Sequence, residues 1–136
     1  MNIRSLTRLD QAHPQLKKLM IEAAKKCPVD IEISEVARTV KRQEELVKAG
    51  ASWTMNSRHI PKVPHHDWYG KKPLSHAVDF FVTVNGKARW DWPLYVKAGN
   101  HIKATAKKMK IAIVWGGDWP KLRDGPHVEL CRKTYP

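Results

Sequence analysis

Residues 74–86 read LSHAVDFFVTVNG, and the features of that run point to a central strand closed by a hairpin turn. Val78, Phe80, Phe81, Val82 and Val84 are the β-branched and aromatic side chains that fill a pleated sheet, and Asn85-Gly86 is the strongest short hairpin signal. Asp79 sits inside this apolar run. A carboxylate there is costly to bury unless a metal or a cationic side chain such as Arg38 meets it. The strand at the centre of the sheet therefore also carries a charge that requires a partner.

Working outward, the spacing predicts a helix from about Trp92 to Lys110, with Asp91 as N-cap and Pro93 in its first turn. Beyond it, IAIVW (111–115) and PHVEL (126–130) read as short strands joined by the loop GGDWPKLRDG. On the N-terminal side, VDIEISEV (29–36) alternates as a half-buried strand does, and a helix from about Val40 to Ala49 stops at Gly50. Leu6, Leu9, Leu16, Leu19, Met20, Ala23 and Ala24 recur at helical spacing before Pro28, so the first element is an amphipathic helix whose start Asp10 and Pro14 mark. Helices and strands in this order, with neighbouring strands near the C-terminus, predict an α+β domain: helices packed on a small, mainly antiparallel sheet. At 136 residues the chain has the length of one domain, residues 1–136.

Between Gly50 and Pro73 the sequence is rich in proline and histidine and keeps no period. A loop of that length in a compact domain is usually functional or disordered. Cys27 and Cys131 form no CxxC pair, which argues against a disulfide scaffold or a zinc finger and for free thiols. The N-terminal residues lack the apolar core of a signal peptide, and no segment has the length of a membrane span. The expectation is synthesis in a host cytoplasm, no membrane insertion, and delivery to any external target by other means. With 25 Lys and Arg against 13 Asp and Glu the formal charge is +12, which favours encounter with polyanions without choosing among them.

Three strings carry chemistry: SRH at 57–59, SHAVD at 75–79 and DGPH at 124–127. They supply histidines and carboxylates at or near strand ends, the inventory of a catalytic zinc site with three protein ligands and one open position. A carboxylate beside such a metal accepts the proton of the attacking water and passes it to the leaving amine, a role for which Asp124 is the natural candidate. On a strand Asp124 and His127 would face opposite ways, but the Gly125-Pro126 turn allows both to reach one site.

The order SxH, then AxD on a strand, then (D/E)xxH, preceded by RTxxxQ at Arg38–Gln43, resembles the VanY/VanX-type zinc peptidases. That family includes D-Ala-D-Ala carboxypeptidases and dipeptidases and the phage L-alanyl-D-glutamate endolysins, and this short chain is most similar to the endolysins. The resemblance covers roughly Ile31 to Leu130. It implies the VanY/hedgehog-like fold, Zn2+ held by His59, Asp79 and His127, Asp124 as catalytic carboxylate, and Arg38 contacting the substrate carbonyl or oxyanion. Gln43, Ser57 and Trp115 are candidate substrate-binding residues, Trp115 because it and Trp119 flank the Gly116-Gly117-Asp118 turn. Asp118 is either a partner orienting a ligand histidine or a solvated loop residue.

The family keeps its first histidine close to the aspartate, whereas here His59 and Asp79 are twenty positions apart. The extra segment, about 60–73, reads as a loop insertion that leaves both ends of the site in place. His65, His66 and His76 compete with His59 for the ligand position; His76, three residues before Asp79 on a strand, should face away from it.

The expected activity is hydrolysis of peptidoglycan stem peptides, most simply at the L-Ala-D-Glu bond by a monomeric phage endolysin that reaches the wall after membrane permeabilisation, with anionic wall polymers as accessory partners. A D-Ala-D-Ala carboxypeptidase is the alternative within the family, and a basic nucleic-acid-binding protein or nuclease, suggested by the charge and by His65-His66-Asp67, is the alternative from another class. A silent module that only holds wall peptide is disfavoured by the presence of Asp124. No helix-turn-helix, aromatic RNA-binding motif or finger spacing supports specific nucleic-acid binding.

Overall fold

The structure, a computed structural model, describes residues 1–52, 54–61 and 74–136. The elements run α1 (Ile3–Leu9), α2 (Pro14–Lys26), β1 (Asp30–Glu35), α3 (Val40–Lys48), β2 (Ala77–Val84), β3 (Lys87–Arg89), α4 (Trp92–Met109), β4 (Ile113–Trp115) and β5 (His127–Leu130). The strands form an antiparallel sheet in the order β1-β2-β5-β4, with β3 folding back on the last part of β2. This is the α+β architecture the sequence predicts, and β2 is its central strand. Asn85 and Gly86 both take positive φ, as the hairpin requires.

Alternation along β2 divides the molecule. Val78, Phe80 and Val82 are fully buried and join Val128 and Leu130 of β5 in one core with Leu16, Leu19 and Met20 of α2 and Tyr95, Ala98 and Ile102 of α4. Burial of each large side chain contributes roughly 1.5–3 kcal/mol. Asp79 and Phe81 take the opposite face, where the two helices do not reach. Asp79 and the side chains considered with it below are gathered on that open face.

The N-terminal helical spacing belongs to two helices, not one. Leu9 ends α1, and Leu16, Leu19, Met20 and Ala23 lie on α2, which starts at Pro14 with His13 Nδ1 accepting from the Gln15 N–H. The linker docks on Ser75: Ser75 donates to the Gln11 carbonyl and His13 donates to the Ser75 carbonyl. That docking also holds residues 75 and 76 outside β2, which begins at Ala77 rather than Leu74.

Candidate metal centre and active site

Three neighbouring elements each deliver one donor. Asp79 comes from β2, His127 from the first position of β5, paired directly with it, and His59 from the loop that follows α3. His59 is fixed by two bonds to the segment leaving β1: its Nδ1 meets the Val36 carbonyl at 2.7 Å, and its own carbonyl accepts from the Arg38 N–H at 2.8 Å. The donor atoms lie close together. His59 Nε2 is 3.1 Å from Asp79 Oδ1 and 3.2 Å from His127 Nδ1, and His127 Nδ1 is 3.4 Å from Asp79 Oδ1.

The outer nitrogens of the two rings settle where the protons sit. His59 Nδ1 faces a carbonyl and His127 Nε2 faces the Glu129 carboxylate at 2.9 Å. Both partners only accept, so the neutral rings carry their protons there. Their inner nitrogens are then lone pairs aimed at each other and at a carboxylate. Only a cation or an added proton satisfies such a cluster. Without a metal a proton takes the place: burial opposes a charged ring, but hydrogen bonds to Asp79 and Glu129 raise the His127 pKa to about 9. Burial likewise pushes the Asp79 carboxyl up, yet hydrogen bonds from His127 and His59 overcome it and hold the group below the ordinary carboxylate range.

A metal fits this geometry. Around an ion with bonds of about 2 Å, the edge of a ligand tetrahedron is roughly 3.3 Å, and the three separations bracket that value. Two imidazoles and one carboxylate favour a transition metal over calcium or magnesium. Each ring is also oriented by a second partner in the way metal-bound histidines usually are. The group His59, Asp79 and His127 can hold a metal ion.

Asp124 stands beside this group. Its carbonyl accepts from the His127 N–H at 3.2 Å and its N–H donates to the Gly116 carbonyl at 3.0 Å, so a tight turn, as the Gly125-Pro126 pair implies, carries both residues to one side. Burial, and next the charge of Asp79, raise the Asp124 pKa, against the opposing pull of His127, His59 and Arg38. A half-buried carboxylate with a raised pKa near a metal is suited to accept and return a proton.

Arg38 is held in place by the carboxylate and amide around it. Its Nε and Nη2 pair with Glu35 at 3.1 Å each, Nη1 donates to Gln43 Oε1 at 2.9 Å, and Nη2 reaches Asp79 Oδ2 at 3.4 Å. Asp79 therefore meets both kinds of partner considered for it: Oδ1 faces the histidines and Oδ2 faces the guanidinium. Among the described residues, four of the five N–H groups of Arg38 have these partners, which leaves one on Nη1.

Several candidates lie elsewhere than in an open groove. Gln43 is fully buried, with Nε2 donating to Ser52 Oγ and the Thr54 carbonyl and Oε1 accepting from Arg38, so it sits behind Arg38 and orients it. Trp115 is only 3% exposed, its indole N–H donating to the Gly125 carbonyl, so it is core and not groove. Trp119 is the tryptophan that packs on His127, ring centroids 5.0 Å apart. The Ser57 hydroxyl accepts from the His59 N–H and serves the turn. Asp118 pairs with Lys103 and, among the described residues, orients no histidine. His76 is buried beside His13, away from the donor group. His65, His66, Asp67 and most of the 60–73 insertion lie outside the described residues.

Glu129 and Glu35 are functional positions that motif reading missed. Glu129 lies two residues after His127 on a strand and so shares its face, a signal present in HVE.

Residues 1–135 match the family model for phage L-alanyl-D-glutamate peptidase. A curated relative, the L-alanyl-D-glutamate peptidase of Listeria phage A118, is 33% identical over 107 residues, which are 79% of this chain and 32% of the relative. The chain thus spans about a third of that relative's length. Among solved structures, the Serratia marcescens L-Ala D-Glu endopeptidase ChiX is 32% identical, with a TM-score of 0.85 over 100% of this chain and 92% of that one.

Proposed function

The chain belongs to the phage L-alanyl-D-glutamate peptidase family, and on that premise we propose that it is a zinc endopeptidase that cuts the L-Ala-D-Glu bond of peptidoglycan stem peptides, acting as a phage endolysin on the host wall. The observation that carries this reading is the convergence of three donors at tetrahedral spacing, with both outer ring protons engaged elsewhere.

When bound, zinc supplies Lewis acidity that polarises the scissile carbonyl and acidifies a water. His59, Asp79 and His127 would hold it; Asp124 takes a proton from the attacking water and gives it to the leaving D-Glu nitrogen as the peptide bond breaks. Arg38, fixed by Glu35 and Gln43, directs its remaining N–H at the oxygen that gains negative charge, where a fixed donor contributes most. Val36 and Glu129 keep the rings in the tautomers that bind metal. The positive charge favours adsorption to anionic wall polymers.

Purified sacculi treated with the protein test this reading. Mass analysis should find new amino termini on D-Glu and L-Ala left on the sugar, with the reaction abolished by a chelator and restored by zinc. Release of terminal D-Ala with intact L-Ala-D-Glu bonds would convert the assignment to a carboxypeptidase. No cleavage by metal-loaded protein would end every hydrolase version.

A further inference from the structure

Trp90 is 65% exposed, unusual for the largest side chain, and it is held rigidly. One face of its indole stacks on Tyr95, with centroids 6.1 Å apart and planes within 6°. Tyr95 in turn stacks on buried Phe80 at 5.7 Å, and its hydroxyl is locked by accepting from the Val82 N–H at 3.1 Å and donating to the Arg89 carbonyl at 2.7 Å. Among the described residues Tyr95 stacks on Trp90 and Phe81 stands beside it, and the rest of the ring is a flat apolar platform. At its edge Arg89 and Asp91 form a two-bond ion pair at 3.0 and 2.7 Å, which cancels their charges while leaving polar atoms exposed.

The platform lies beside the strand that carries Asp79. Phe81 follows Asp79 by two residues on the same face of β2, roughly 7 Å further along the strand, and the Trp90 ring is next to it, centroids 6.4 Å apart. A flat apolar ring with a neutral polar border matches a pyranose, whose C–H face is apolar and whose rim bears hydroxyl and acetamido groups. It suits the carboxylate-bearing D-Glu side of the stem less well. In the stem, L-Ala is joined through a lactyl ether to the sugar, so about six bonds, roughly 8 Å when extended, separate the scissile carbonyl carbon from the sugar ring. That reach carries the sugar from the metal group past the position of Phe81, beside which the Trp90 ring stands.

Resting on the peptidase reading above, we infer that Trp90, backed by Tyr95 and flanked by Phe81, is the subsite for the N-acetylated sugar that carries the stem peptide. The enzyme then recognises the glycan side of the bond as well as the peptide.

Two substrates separate this role from a structural one: a disaccharide-tetrapeptide and the same tetrapeptide freed of sugar. Trp90→Ala should raise KM for the first about tenfold with kcat little changed, leave both constants for the second alone, and be partly rescued by Trp90→Phe. Equal effects on both substrates, or none on either, would overturn the assignment. Binding is read independently of hydrolysis by titrating wild-type protein with the peptide-free N-acetylated disaccharide and following indole N–H resonances, that of Trp90 identified by its loss in Trp90→Phe. A saturable shift of that resonance is expected, and its absence defeats the subsite even if the peptidase is active. Binding of the disaccharide by a protein that cleaves neither substrate would defeat the peptidase reading and leave the subsite standing.

Discussion

Asp124 and Glu129 flank the same histidine, and the chemistry assigned to each predicts a different failure. Asp124→Asn removes the proton acceptor, so kcat should fall by about 10²–10⁴-fold while zinc content, measured by metal analysis, stays near that of the wild type. Because burial and the charge of Asp79 raise the Asp124 pKa, the acid limb of kcat/KM in the wild type should lie above the ordinary carboxylate value of 3.8. Glu129→Gln weakens the partner that fixes His127, and metal affinity in a chelator competition should drop about 10–100-fold, a loss Asp124→Asn does not share. The folded pKa of His127 in metal-free protein, about 9, exceeds its ordinary 6.5. Its protonation therefore stabilises the stripped fold fully below about pH 6.5 and fades as pH rises through about 9. The Tm of chelated protein should fall across that interval, by up to about 3 kcal/mol of stability, whereas zinc-loaded protein should lack this loss. At this scale the ordered motifs made legible the His59, Asp79 and His127 group that can hold a metal. The burial of Gln43 and Trp115 is not legible because a motif position does not reveal burial, and Glu129 carries no signal of its own because a lone acid is ordinary until its strand neighbour is a candidate ligand.

At the scale of elements, the site depends on where the backbone departs from regularity. Ile31 and Ile33 of β1 face the core, and continued alternation would send Glu35 inward as well; a bulge at Ser34 reverses the phase. Glu35 then lies opposite Asp79 on the open face and can hold Arg38, while Val36 enters the core, 1% exposed. The polar pair Ser34-Glu35 after two regular alternations recorded that bulge, although it reads at first as a simple strand. The split between α1 and α2 was less legible, since the apolar spacing runs through both and only tertiary bonds to Ser75 fix the break. Glycines beside the 3₁₀ turn at Gly116–Asp118 provide the test. A Cβ on Gly116 would lie 2.3 Å from the Asp124 carbonyl oxygen, a backbone atom that must move and carry the base with it. On Gly99 of α4 it would lie 2.3 Å from the Trp115 ring, inside the core. Gly99→Ala should cost about 1–3 kcal/mol in denaturant unfolding with kcat of the surviving fold retained. Gly116→Ala should lower kcat at least as sharply as it lowers stability.

At the scale of the whole molecule, one concentration of positive charge lies on the helices across the sheet from the candidate site. The two helices that cover the core carry Lys17, Lys18, Lys25 and Lys26 on α2 and Lys97, Lys103, Lys107 and Lys108 on α4, with Glu22 as their only acid. Asp10, Glu22 and Asp118 pair with Lys17, Lys25 and Lys103, and the excess that remains faces away from His59, Asp79 and His127. A cationic surface remote from the reacting atoms acts on encounter with the wall and not on the chemical step, and it acts through a field that salt screens within about 10 Å at 0.1 M. Hydrolysis of intact sacculi should therefore slow as sodium chloride rises from 0.05 to 0.5 M on the order of tenfold through weaker adsorption, while hydrolysis of a soluble disaccharide-tetrapeptide changes little. Lys107→Glu with Lys108→Glu should reproduce the effect of salt at low ionic strength, measured as the fraction of protein sedimenting with sacculi. Equal salt sensitivity on the soluble substrate would place the dependence in the active site and take the adsorption role away from the helical face.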